Sequence, residues 1–203
     1  MKLRTLAPRS IQRLGRRAAV LLAQPTARQR IRPGFILAGG QRCGTTSLFR
    51  ALEQHPQMVR PTAHKGINYF DLNYHRGPRW YAAHFPLEAV ARRRVPGPGA
   101  PIAFEASGYY MFHPSAVPRL ARDLPDVKLV IMLRDPMERA YSAWKHEKAR
   151  GYETEDFVTA LQLEPHRVDP DDPGLGSVER SFSHRHHAYA ARSDYATQIE
   201  KIL

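Results

Sequence analysis

Apolar positions along the chain fall into short runs set off by glycine, proline and charge, and the period of each run predicts its element. Residues 35–38, Phe35-Ile36-Leu37-Ala38, form a continuous apolar run, the pattern of a parallel strand covered on both faces. Gly39, Gly40 and Gly44 follow as a glycine-rich turn. Thr45, Thr46 and Ser47 then open a helix that carries Leu48, Phe49 and Leu52 toward a core. His55-Pro56 ends that segment, because a residue before proline resists the α region. Ile67, Tyr69 and Phe70 suggest a short strand or strand-like loop. Trp80, Tyr81 and Phe85, at helical spacing in residues 76–86, predict an aromatic helical turn packed into the core. Residues 87–101, with Arg92-Arg93-Arg94 and a Pro-Gly stretch, read as a loop. Residues 102–107 form a second buried strand carrying Glu105.

A helix over 114–124 would place Val117, Leu120, Ala121 and Leu124 on one side. Residues 129–133 are the most apolar run and predict a central strand of a parallel sheet, with Arg134 at its carboxyl end. Asp135 is a good N-cap and Pro136 a good first helical residue. The helix runs over 137–150 and Gly151 closes it. Residues 164–185 are polar and predict a surface loop. Tyr189, Tyr195, Gln198, Ile199 and Leu203 predict a last helix. Strands alternating with helices make the chain α/β, with a central parallel sheet flanked by helices.

The 203 residues suit one domain with a real core, and no repeat is visible. The net charge of +12 directs attention to anionic partners: a nucleotide with several phosphates, an acidic glycan, nucleic acid or an anionic membrane. The single cysteine, Cys43, excludes an internal disulfide and fits a reducing compartment, so a cytoplasmic location is expected. It reads either as a small residue filling a tight turn or as a thiol activated by the anion loop. Residues 1–32 form a basic extension, with the domain proper at 33–203. The apolar run at 18–23 is too short to span a bilayer and short for a signal-peptide core. Leu6, Ile11, Leu14 and Leu21 among many arginines suggest a surface helix able to touch anionic lipid. The alternative is a solvated extension packed loosely on the domain.

The turn at 39–44 carries the chemistry. Gly39 and Gly44 have the spacing of a phosphate-binding loop, but Thr45-Thr46 stand where an ATP- or GTP-binding loop needs Lys then Ser or Thr. The cation sits earlier, at Arg42. Free N–H groups at the helix start, with hydroxyls and Arg42 beside them, make an anion site. Ligands of open α/β sheets bind beyond the carboxyl ends of the strands, which puts Arg134 on the same edge as the loop. Two anion-binding elements on one edge suggest a ligand with two separate phosphate groups. Local pairing of Arg134 with Asp135 or Glu138 is the competing reading.

In order and spacing, GQRCGTTSL (41–48 with the preceding Gly40), HKGINYFD (64–71), FEASGYYMFHP (104–114) and LRDPMERAYSAW (133–144) resemble the sulfotransferase domain, carbohydrate type, with its heparan-sulfate and bacterial members. The resemblance covers residues 35–203 and implies a three-layer, P-loop-like fold. It also implies 3′-phosphoadenosine 5′-phosphosulfate (PAPS) as sulfuryl donor and a hydroxyl or amine of a carbohydrate or glycolipid as acceptor. On this resemblance Arg42, Cys43, Gly44, Thr45, Thr46 and Ser47 belong to the 5′-phosphosulfate site, and Arg134 and Ser142 hold the 3′-phosphate. The family usually has Lys at Arg42, which keeps the charge and changes the geometry. Lys65 matches a family Lys that orients cofactor or acceptor.

The family glutamate expected as base falls at Gly66, so the base is open among His64, Glu105 and Asp71, with His64 nearest in pKa. Another family Lys falls at Ala106. No metal is expected, since fixed N–H donors and cations can stabilise sulfuryl transfer, and the histidines at 184, 186 and 187 lack a supporting Cys or carboxylate cluster. The polar segment at 164–185 would lie over the acceptor cleft. The family continues past the last helix, so a fragment or a truncated chain is expected. Two other classes are a PAPS-binding relative without transfer activity, motivated by Gly66, and a basic nucleic-acid-binding protein. The latter lacks a recognition-helix, zinc or stacking motif.

Overall fold

Short parallel strands place the loop and its neighbours along one edge. The computed structural model describes residues 8–95, 99–168 and 181–203. Leu6, the aspartate-proline stretch at 169–174 and most of the Pro-Gly stretch after Arg94 lie outside the described residues. Strands β1 (Pro33–Leu37), β2 (Met58–Val59), β3 (Ile102–Ala106) and β4 (Lys128–Val130) form a sheet in the order β2-β3-β1-β4, every neighbouring pair parallel. Ile36 is level with Glu105 on one side and Leu129 on the other.

The pleat sends alternate residues of β1 to opposite faces. Ile36 and Ala38 enter a cluster with Tyr69, Phe70, Tyr81, Phe85 and Leu120, covered by α3 (Pro78–Ala82) and α5 (Ala116–Asp123). Leu37 enters a second cluster with Phe49 of α2 (Thr45–Leu52), Phe104 and Ala106, where Phe35 stacks on Phe104 at 5.2 Å. A third cluster joins Ala140 and Ala143 of α6 (Pro136–Ala149) to Ala160 of α7 (Phe157–Arg167) and to Tyr189. The remaining helices are α1 (Arg9–Ala23), α4 (Glu88–Arg94), α8 (Phe182–His186) and α9 (Tyr195–Glu200). The result is a parallel sheet flanked by helices, as expected.

Six expectations change. The apolar run at 129–133 is not central: β4 is an edge strand among the described residues, and Val130 and Leu133 are exposed. Residues 66–70 form no strand. Asn68 takes a left-handed φ of 52°, and the backbone N–H groups of Ile67, Asn68 and Tyr69 donate to the side chains of Glu105, Ser107 and Tyr110 instead of to a ladder. Glu88–Arg94 is helix, not loop; Glu88 and Arg92 pair one turn apart. Glu164 belongs to α7 and is buried, and Tyr189 precedes the last helix. On α5, Ala121 is exposed, and the inner face is Ala116 and Leu120.

The basic extension divides. In α1, Val20 is buried while Ile11, Leu14, Leu21 and Leu22 are exposed, so the helix is held lightly. Residues 30–31 are tied down: Arg30 donates to the carbonyls of Ala23 and Phe85, and Ile31 N–H donates to Pro86 O at 3.1 Å. Among the described residues no helix is long and apolar enough to cross a membrane.

Candidate functional site

The loop between β1 and α2 is shaped by close approach. A Cβ on Gly39 would lie 2.3 Å from the Met132 nitrogen, so only glycine lets the loop pass the exit of β4. Gly40 N–H donates to Met132 O at 3.2 Å, fastening the two strand ends together. Arg42 (φ 71°) and Gly44 (φ 83°) both lie in the left-handed region and turn the chain into α2. Among the described residues the N–H groups of Gly44, Thr45 and Thr46 meet no acceptor, as the first turn of a helix leaves them. They form a cradle for an anion.

Two cations flank this cradle. The Arg42 Nε donates to Ser142 Oγ of α6 at 3.0 Å. From the other side, Lys65 Nζ donates to Thr46 Oγ1 at 2.8 Å and Thr45 Oγ1 at 3.3 Å. Partial burial lowers the Lys65 pKa, which marks a cation held where an anion would be welcome. The free N–H groups and flanking cations fit a phosphosulfate end. The Arg42–Ser142 bond joins the two expected phosphate subsites directly. Arg134 keeps the local partner instead: its guanidinium donates to Glu138 at 2.8 and 3.0 Å, an exposed pair one turn apart. Ser47 lies beside the cradle, exposed, with its N–H on Gly44 O.

Cys43 is at the loop but turned inward. Its N–H donates to Gly40 O, and its buried Sγ lies 3.6 Å from Tyr195 Oη, so neither is presented to a ligand. The small-residue reading of Cys43 is the one the geometry supports. Glu105 is likewise away from the cleft. It is fully buried and accepts hydrogen bonds from Ile67 N–H, Ser107, Tyr81 and Tyr110. Burial raises its pKa, and those four donors work against the rise. Its geometry is that of a pin holding residues 66–70 onto β3. Asp71 is also fully buried, its pKa pushed up to about 7 by desolvation.

His64 alone of the three base candidates is exposed, its Nδ1 3.5 Å from an Arg16 nitrogen. Partial burial and then the Arg16 charge lower its pKa below the usual 6.5. Gly66 has a steric reason: a Cβ there would sit 2.6 Å from Ala106 O. The backbone of this segment is drawn tightly against β3, where Ala106 N–H also donates to Lys65 O at 3.0 Å.

Four contributors were not foreseen: Gln41, Glu147, Arg192 and Glu164. Gln41, in the loop, donates to Glu147 of α6 at 3.0 Å and accepts from Arg192 at 2.7 Å. Glu147 also pairs with His186 and Arg150, and buried Arg192 stacks over Tyr109 and Phe112. Glu164 accepts from the N–H groups of Tyr189, Ala190 and Ala191. These buried charges brace the back of the loop. The available signal was the stripe Arg139, Ala143, Glu147 on α6, buried at a four-residue period. The histidines of α8 have separate partners: His184 meets Tyr109, His186 meets Glu147 and His187 meets Ser183. Among the described residues no group of three or more His, Cys, Asp or Glu is placed to hold a metal ion.

A model of the sulfotransferase domain matches residues 32–202. The chain belongs to the sulfotransferase domain family. It is 33% identical over 177 residues to the human bifunctional heparan sulfate N-deacetylase/N-sulfotransferase 3, covering 84% of this chain and 18% of that protein. It is 36% identical over 113 residues to the membrane-associated sulfotransferase kil1 of Dictyostelium discoideum, covering 55% of this chain and 22% of that protein. The chain thus spans about a fifth of the length of these curated relatives. The crystal structure of a sulfotransferase from Alicyclobacillus acidocaldarius superposes with a TM-score of 0.58 at 30% identity, covering 85% of this chain and 68% of that one.

Proposed function

We propose that this protein transfers the sulfuryl group of PAPS to a hydroxyl or amine of a carbohydrate acceptor. The observation that carries the reading is the pair of cations flanking the open N–H groups of α2, Lys65 on the Thr45 and Thr46 hydroxyls and Arg42 in the loop on Ser142. When bound, PAPS supplies a sulfuryl group already activated on a phosphate leaving group. The N–H groups of Gly44, Thr45 and Thr46, with Arg42, would hold its 5′ end in fixed orientation. Lys65, from the segment facing them, would sit where charge builds on the leaving oxygen. Ser142 and Arg134 would take the 3′-phosphate, with Arg134 exchanging its exposed Glu138 partner for the ligand. Exposed pairs of this kind are worth about 0–1 kcal/mol, so the exchange costs little.

His64 is assigned the acceptor proton. Burial and the Arg16 charge favour its neutral form, and it immediately precedes on the chain Lys65, which reaches the loop. Carbohydrate as acceptor class rests on the relatives' named activity on heparan sulfate. Radiolabelled PAPS incubated with an oligosaccharide bearing free glucosamine amines tests the reading. Label appearing in the sugar, and lost with His64→Ala while nucleotide binding persists, is the expected result. Nucleotide binding without transfer to any amine or hydroxyl acceptor would instead assign the chain to binding alone.

A further inference from the structure

A cavity of about 560 Å³ opens along the segment that carries His64 and Gly66 and draws one wall from outside the family region. Its floor is the segment containing His64, Gly66 and Asn68; Trp80 and Arg76 close one side. The other wall is α1, which contributes Arg16, Arg17 and Val20. Only one residue separates the cavity from the donor cradle: His64 and Gly66 line it, while Lys65 between them reaches Thr45 and Thr46. Three arginines and two histidines line the cavity, with no carboxylate among its lining residues. Trp80, half-buried, offers an aromatic surface, with the Arg76 guanidinium 5.2 Å from its ring centroid.

We propose that this cavity is the acceptor site and that Arg16 and Arg17 of α1 select an acceptor carrying a carboxylate or sulfate next to the reacting group. The inference rests on the sulfuryl-transfer reading and adds to it a specificity device. The family match begins at residue 32, so α1 at Arg9–Ala23 lies outside the matched residues. No Asp or Glu precedes Glu53 in the sequence, and among the described residues no carboxylate lines the cavity beside these arginines. The Arg16 guanidinium already stands 3.5 Å from His64 Nδ1, which puts the selecting charge beside the assigned proton acceptor. An acidic sugar ring stacked on Trp80 would meet both arginines without approaching any carboxylate of the lining.

The test uses the full chain and two probes: a glucuronate-containing oligosaccharide with free glucosamine amines, and the same oligosaccharide with its carboxyls reduced to alcohols. Calorimetry with adenosine 3′,5′-bisphosphate present reads binding independently of turnover. The native oligosaccharide should bind about tenfold more tightly than the reduced one, and Arg16→Ala with Arg17→Ala should erase that difference. Arg16→Lys with Arg17→Lys should largely restore it, and bisphosphate affinity should be the same in all three proteins. Equal binding of both probes, or a preference that survives the double alanine variant, overturns the inference and leaves the transfer reading standing. Failure of the wild-type chain to bind the bisphosphate overturns the transfer reading itself. The variants alter exposed side chains on a lightly held helix, and an unchanged melting temperature confirms that they fold.

Discussion

At the scale of single residues, the account assigns two titrations with opposite effects on activity. In its proposed role His64 would act as a base only when neutral, and its pKa is lowered from the usual 6.5 by burial and the Arg16 charge. The acidic limb of kcat/KM should therefore fall below that value, with activity rising as pH rises through it, and His64→Ala should remove the limb. In its proposed role Lys65 would bind donor only when protonated, and its pKa is lowered from the usual 10.5 by burial. Donor affinity should then weaken at a lower pH than an exposed lysine would allow, and Lys65→Arg should shift that loss upward. Gly66→Glu, which would install the carboxylate expected from the family, should not add a base. Its Cβ would stand 2.6 Å from Ala106 O, so the expected outcome is a lower melting temperature and lower activity. The cation at the loop was legible from sequence because glycine spacing and a hydroxyl-rich helix start are local. Glu105 was misplaced among the bases because its surroundings come from Ile67, Tyr81 and Tyr110, which no local pattern brings together.

At the scale of elements, buried Asp71 makes stability depend on pH in a defined direction. Its pKa is raised from 3.8 to about 7 by burial. A raised carboxyl pKa stabilises the fold fully below the unfolded value, and that contribution is lost as pH climbs toward the folded one. Asp71→Asn should thus melt higher than the parent at about pH 8, the gap closing toward about pH 4. An unchanged gap across that range would contradict the assignment. Leu37→Ala, at a site with no solvent exposure between Phe49, Phe104 and Ala106, should cost about 2–5 kcal/mol. The strands at 35–38 and 102–107 were legible because an apolar run reports burial directly. The edge position of β4 was not, since an apolar run reports that a strand wants cover but not what supplies it. Residues 66–70 alternate like a strand, yet side chains from β3 and the segment after it take their N–H groups.

At the scale of the whole molecule, an excess of positive charge faces a ligand with several negative ones. Affinity for donor nucleotide should fall as salt rises, because screening shortens from about 10 Å at about 0.1 M to about 3 Å at about 1 M. The fold class was legible from order along the chain, and so was the nearness of the loop to Ser142; Arg134 instead keeps its neighbour Glu138, the local pairing that the sequence also offered. The bracing of the loop by Gln41, Glu147 and Arg192 was not, because it links residues more than a hundred positions apart. The cavity between α1 and the His64 segment was equally hidden, since α1 had no sequence feature announcing what it packs against.

The central claim is that one edge of the sheet holds a nucleotide bearing phosphate at both ends. Calorimetric titration of the full chain with adenosine 3′,5′-bisphosphate at low salt tests it most directly. The account predicts one saturable site, weakened about tenfold or more by Lys65→Ala and by Arg134→Ala separately. A folded protein with no saturable binding, or with affinity untouched by both changes, would contradict it.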